Sequence, residues 1–157
     1  MEYILGPKDP TRCVFCEAVA AEGERLRQLR VLVVTKHTAI LLNTYPFNAG
    51  HLLIVPHEHV DDIAKLDAAQ SAEFWEMTRE SCVRLRKAVG ALGLNVGLNL
   101  GTVAGAGIRD HVHFHVAPRW QCDTNFMPVI FDVHVMPQYL DETWARLYPY
   151  FADLAPT

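Results

Sequence analysis

This sequence predicts an α+β fold with a mostly antiparallel sheet, and three observations predict it. Short runs of β-branched and aliphatic residues are separated by Pro, Gly and Asn, as in strands joined by turns. One long stretch carries apolar residues at three- and four-residue steps, the mark of an amphipathic helix. The order runs strands, helix, strands, helix, which suits segregated α+β layers.

The elements follow in order. Residues 1–12 hold two prolines and read as an extended arm. The run Arg30 to Thr35 reads as a first strand, Lys36-His37 as a turn, and Ala39 to Asn43 as a second strand. Tyr45 to Gly50 is a loop punctuated by Pro46, Asn48 and Gly50. A third strand, His51 to Val55, is ended by Pro56. Asp67 suits the N-cap of the long helix, whose buried face holds Phe74, Met77 or Thr78, Cys82, Leu85 and Val89; Gly90 and Gly93 close it. Val96 to Leu100 reads as a fourth strand and residues 101–107 as a glycine-rich loop. A fifth strand covers about 111 to 117 and stops at Pro118. Residues 121–157 form a C-terminal extension, with a helix between Pro137 and Leu154 that aligns Leu140, Trp144, Leu147 and Phe151. No repeat or low-complexity linker divides the chain, so residues 1–157 read as one domain.

Composition narrows the function. The chain has 157 residues, is 50% hydrophobic and 20% charged, and carries a formal net charge of -4. With no run of like charge, a nucleic-acid polymer is not an expected partner. No apolar run approaches the roughly 18 residues of a membrane span, and the N-terminus is too polar for a signal peptide, so the expected address is the cytoplasm. In that reducing compartment Cys13, Cys16, Cys82 and Cys122 are not expected to form structural disulfides. The eight histidines are the unusual count and the place to look for chemistry.

His111-Val112-His113-Phe114-His115-Val116 alternates strictly. On a strand, His111, His113 and His115 share one face while Val112, Phe114 and Val116 face the core. Two chemistries fit three aligned imidazoles. They could hold a catalytic metal together. Alternatively one neutral imidazole could attack phosphorus, forming a labile adduct. The glycines at 101, 105 and 107 lie just upstream and could turn backbone N–H groups toward an anion, which favours phosphate. Arg109, Asp110 and Arg119 flank the strand as surface or loop charges, and Arg119 could meet a phosphate.

The stretch His111 to Arg119 resembles the signature of the histidine triad (HIT) family, and Asn48-Ala49-Gly50-His51 through His59 resembles its second conserved block. The resemblance covers roughly residues 13–120. It implies a HIT-like five-stranded antiparallel sheet with helices, a homodimer, and nucleotidyl hydrolysis or transfer through a covalent histidine adduct. By matching positions it implies His113 as nucleophile, His115 as the phosphate and leaving-group contact, and His51 as their support. It implies Asn43 at the ribose hydroxyls, and Asn99 with the backbone of Gly107 and Ile108 at the phosphate. The Gly-Gln dipeptide of many relatives is absent; the loop reads Ala104-Gly105-Ala106-Gly107-Ile108. Gly97 to Thr102, Pro118-Arg119-Trp120 and Asp123 to Phe126 resemble a bacterial branch of diadenosine tetraphosphate phosphorylase-like members, with Trp120 beside the base or phosphate.

Cys13-x-x-Cys16 has zinc-ligand spacing, and the same spacing serves redox pairs. The resemblance adds His59 and His111 as the two remaining ligands, giving a structural zinc site that leaves His113 for chemistry. His37 and His134 read as surface residues and His57 as a loop residue. The expected function is a nucleotidyl hydrolase or transferase acting on the α-phosphate of dinucleoside polyphosphates through His113, with phosphate or water as acceptor. The alternatives are a nucleoside phosphoramidate or adenylate hydrolase and a nucleotide-binding scaffold with little catalysis.

Overall fold

The computed structural model describes residues 13–123 and 139–156. The N-terminal arm, Thr124 to Phe126 of the C-terminal motif, His134 and Pro137 lie outside the described residues. Two short helices, α1 (Val14–Val19) and α2 (Glu24–Gln28), lead into β1 (Val31–Val34), β2 (Thr38–Leu42) and β3 (Leu52–Pro56). The long α3 (Ala68–Val89) follows, then β4 (Gly93–Leu98), β5 (Phe114–Arg119) and α4 (Leu140–Leu147). The five strands form one sheet in the order β1-β2-β3-β5-β4, and every neighbouring pair is antiparallel. The α+β expectation therefore stands.

Side-chain alternation divides the core in two. Ile40, Leu42, Leu52, Ile54, Val112, Phe114 and Val116 face α3 and the C-terminal segment. Ala39, Leu41, Leu53 and Val55 face the opposite way and pack with Phe15 and Ala18 of α1. Both faces of β2 and β3 are covered, which is why these strands read as continuous apolar runs.

Asp67 caps α3 as its sequence suggested. Its carboxylate accepts from the Gln70 N–H at 2.8 Å while the Gln70 side chain accepts from the Asp67 N–H at 3.0 Å. Gly90 ends the helix in the left-handed conformation, with φ at 64°. The buried face consists of Phe74, Thr78, Ser81, Leu85 and Ala88, while Met77, Cys82 and Val89 are partly buried against it.

Several boundaries differ from expectation. β4 begins at Gly93 rather than Val96 and ends at Leu98; Gly93, Asn95 and Gly97 have weak strand propensity and are set by pairing to β5. Pro118 lies inside β5 instead of ending it. Its ladder with β3 stops at Val116, and past that point the Pro118 carbonyl accepts from Asn48 Nδ2 at 3.0 Å, so the missing N–H costs no β3 bond. His111 and His113 precede the strand proper, which starts at Phe114. The C-terminal helix stops at Leu147 and continues as 3-10 turns at Tyr148–Tyr150 and Ala152–Leu154, because Pro149 cannot extend an α-helix. Leu147 and Phe151 are nonetheless fully buried, and Trp144 Nε1 donates to the Val31 carbonyl at 2.9 Å.

Candidate active site and metal cluster

His51 immediately precedes β3, and His111, His113 and His115 lead into and occupy β5, its neighbour in the sheet. His115 stands opposite Leu53, a member of the α1-side cluster, so the triad faces α1. Phe15 packs on both His111 and His113, with ring centroids 5.4 and 4.9 Å away. His113 and His115 are edge-on at 4.8 Å.

The hydrogen bonds fix each ring's tautomer. The His111 carbonyl can only accept, so His113 Nδ1, 2.9 Å away, carries the proton and its Nε2 keeps the lone pair. The Phe47 N–H can only donate, so His51 Nδ1 is an acceptor at 3.2 Å. His51 then carries its proton on Nε2 and donates to His115 Nδ1 at 3.0 Å. His115 in turn keeps its own proton on Nε2. The result is a neutral nucleophilic nitrogen on His113 beside a donor on His115.

Burial keeps these rings neutral. His51 is driven down to about 3, by burial first and then by His115 and His113. His115 falls to about 4 for the same reasons, burial before His113. Burial also lowers His113, against the opposing hydrogen bond to the His111 carbonyl.

Cys13, Cys16, His59 and His111 form a second constellation next to the first, their ligand atoms all within 4.8 Å of one another. Cys13 caps α1 and Cys16 lies in its first turn, so the pair does sit at a helix start. His111 Nε2 donates to the Pro56 carbonyl at 2.9 Å, leaving Nδ1 facing the sulfurs. Cys13 Sγ and Cys16 Sγ lie 3.4 and 3.7 Å from that nitrogen, and Cys16 Sγ lies 3.2 Å from His59 Nδ1. A tetrahedral zinc with sulfur and nitrogen ligands has edges of roughly 3.4–3.8 Å. Burial and the neighbouring Cys13 push the Cys16 thiol up to about 11, and a divalent metal would bind both sulfurs as thiolates with release of their protons. These residues fit a metal.

A cavity of about 260 Å³ is lined by Val14, Phe15, Leu41, Leu53 and Ile108, with Asn43 among its polar groups; of these, Phe15 packs on His113 and Leu53 stands opposite His115. That is near the lower end for small-molecule sites, roughly 300 Å³, and suits one nucleoside. Asn43 Oδ1 accepts from the Tyr45 N–H at 3.0 Å, which turns Nδ2 toward His51 Nδ1 at 3.3 Å.

The loop before the triad is only partly as expected. Gly101 and Gly105 adopt positive φ, 79° and 91°. However, the Gly105 and Ala106 N–H groups donate to the Thr102 and Gly101 carbonyls, so they are not anion donors; Gly107 and Ile108 are the remaining candidates. Asn99 borders Gly105, its Nδ2 4.0 Å from where a Cβ there would lie. Trp120 is five residues beyond His115, about 16 Å along an extended strand, in a turn where its N–H donates to Asp123 at 3.0 Å. The Arg119 guanidinium meets Asp123 through two bonds of 2.7 Å and Asn95 Oδ1 at 2.9 Å. His37 gives its backbone N–H to Glu73 at 2.8 Å, and His57 Nε2 is buried.

Sequence reasoning missed Phe47 and Asp123. The Phe47 ring stacks on His51 at 4.9 Å and His115 at 6.4 Å, and Asp123 accepts from Asn48 at 2.9 Å. A loop aromatic immediately before the Asn48 to His59 block was the available signal for Phe47; Asp123 stood in the branch motif Asp123 to Phe126, with nothing local to mark its contact with Asn48.

The HIT domain family model matches residues 27–122, and this chain belongs to that family. Among its relatives, an AP-4-A phosphorylase of Mycobacterium tuberculosis is 41% identical over 148 residues, covering 88% of this chain and 76% of that one. An adenosine 5'-monophosphoramidase of Schizosaccharomyces pombe is 29% identical, covering 68% and 74%. A histidine triad nucleotide-binding protein of Sulfolobus tokodaii has the same fold at TM-score 0.70 and 24% identity, covering 90% and 93%. A zinc-bound family protein of Mycobacterium smegmatis matches at TM-score 0.69 and 23% identity, covering 90% and 94%.

Proposed function

We propose that this HIT-family enzyme is a nucleotidyl hydrolase or transferase acting on the α-phosphate of dinucleoside polyphosphates, with phosphate the preferred acceptor. One observation carries the reading. His113 Nδ1 is committed to the His111 carbonyl, so its Nε2 keeps a neutral lone pair, and Phe15, whose ring packs on His113, lines a nucleoside-sized cavity. The 41% identity to a protein named AP-4-A phosphorylase supports the substrate class and the acceptor.

The reaction is two in-line displacements. The nucleoside enters the cavity, its ribose toward Asn43. His113 Nε2 attacks the α-phosphorus, forming a P–N bond as the P–O bond to the leaving polyphosphate breaks. His115 Nε2–H donates to the leaving oxygen. Asn99 and the N–H groups of Gly107 and Ile108 meet the equatorial oxygens. An oxygen of inorganic phosphate, or of water, then displaces the imidazole and regenerates the lone pair.

Zinc would be held by Cys13, Cys16, His59 and His111 and would supply structure, tying α1 to the strand that carries His113. Thiolate ligands need a reducing compartment, in keeping with a cytoplasmic address. The chain would pair as a homodimer through β4, an edge strand where Val96 is 47% exposed.

The test is product analysis on diadenosine tetraphosphate with and without phosphate. ADP plus ATP, formed only with phosphate, is expected. AMP plus ATP under both conditions would make it a hydrolase. Turnover of adenosine phosphoramidate alone would favour the activity named for the yeast relative.

A further inference from the structure

The histidine pair His51–His115 has two neutral states. In one, His51 accepts at Nδ1 and donates from Nε2, and His115 presents Nε2–H. In the other every proton is moved, and His115 presents a bare Nε2 that cannot donate to a phosphate oxygen. The state adopted is chosen by what faces His51 Nδ1, namely the Phe47 N–H at 3.2 Å and Asn43 Nδ2 at 3.3 Å. Asn43 is a side chain that a ribose can engage, whereas the Phe47 N–H is backbone and stays where its loop is held.

That loop is held from a distance. Asn48 Nδ2 donates to the Pro118 carbonyl at 3.0 Å and to Asp123 Oδ2 at 2.9 Å. Asp123 is itself fixed by the Trp120 N–H at 3.0 Å and by Arg119. The next turn of the loop is tight: the Asn48 carbonyl accepts from the His51 N–H at 3.1 Å, and Gly50 has φ of 87° with Leu85 and Pro118 close by.

We propose that Asn48 is a positioning residue for catalysis: by latching its loop to Pro118 and Asp123 it aims the Phe47 N–H at His51 and so keeps the proton of His115 on Nε2. The inference rests on the nucleotidyl reading for its effect on turnover, and on geometry alone for its effect on the rings. Asn48 acts through three intervening groups and need touch no substrate.

The experiment is ring-nitrogen NMR of the full-length, histidine-labelled protein at neutral pH, alongside steady-state kinetics on diadenosine tetraphosphate. The wild type should show His51 and His115 both protonated at Nε2. One backbone hydrogen bond contributes about 0.5–1.5 kcal/mol. Asn48→Leu should therefore shift the tautomer ratio roughly two- to tenfold toward Nδ1 and lower kcat only as the Nε2-protonated fraction falls, by up to about twofold from a wild type about ten to one in favour of Nε2, with KM nearly unchanged. Asp123→Asn, which weakens the same latch without removing Asn48, should move both readouts less but in the same direction, and carries the test if Asn48→Leu does not fold. A folded variant with wild-type tautomers and wild-type kcat would overturn the proposal, as would a wild-type His51 protonated at Nδ1. An inert wild type would strike the nucleotidyl reading alone, since the ring shifts are read without substrate.

Discussion

His51 Nε2 lies 3.0 Å from His115 Nδ1, and His51 itself is fully buried. An unpaired buried ring nitrogen costs about 1–3 kcal/mol. His51→Leu fills the space but leaves His115 Nδ1 and the Phe47 N–H without their partner. Stability should fall by about that amount in denaturant unfolding, and kcat should drop about tenfold or more because the donor on His115 is no longer fixed. Unchanged kcat in a folded His51→Leu protein would remove His51 from the machinery.

The same burial makes stability pH-dependent. The folded values of His51, about 3, and His115, about 4, lie below the ordinary histidine value near 6.5. Between those limits the unfolded chain binds more protons than the folded one, so unfolding is favoured as protons are added. The stability from these two rings is fully present above about pH 6.5 and lost as pH falls toward 4 and then 3. Denaturant midpoints should decline from pH 7 to 4.5 in the wild type and decline less in His51→Leu. Parallel profiles for the two proteins would contradict the assignment.

What was legible in the sequence was local and periodic. The Asp67 cap, the Gly90 stop and the division of Val112, Phe114 and Val116 from the histidines all follow from spacing. The missed features lack such a signal. α1 and α2 are six and five residues long, with no side-chain cap at either start. β4 takes its extent from β5, and Pro118 is tolerated only because β3 has ended. Asn48 and Asp123 are 75 residues apart, and no pattern in the chain announces their contact.

The four-residue cluster at α1 predicts one zinc per chain. Cys16→Ser should lose most of the metal and lower the melting temperature, because α1 packs Phe15 against His111 and His113 and the metal would hold it there. Metal analysis and a melting curve, with and without chelator, read both. Full metal retention in Cys16→Ser would instead favour a site built on other residues.

Asn43 faces the cavity that suits a nucleoside, and its carboxamide can both donate to and accept from a ribose diol. Asn43→Ala should raise KM for a ribonucleotide substrate about three- to tenfold, the range of one or two net hydrogen bonds, and should narrow the preference for ribose over 2'-deoxyribose. A KM that rises equally for both sugars would place the defect in His51, which Asn43 also touches at 3.3 Å.

His113 offers the sharpest prediction. Its Nδ1 is bound to the His111 carbonyl, and an asparagine there could keep a donor to that carbonyl while presenting no nucleophilic nitrogen. His113→Asn should therefore fold, and bind AMP within about twofold of the wild type. Turnover should fall by about a thousandfold or more, which corresponds to about 4 kcal/mol of lost barrier reduction. Rapidly quenched wild type should carry a nucleotidyl group on the peptide containing His113, and the variant should carry none. Retention of more than a few per cent of activity would mean that the phosphorus is attacked by something other than this imidazole.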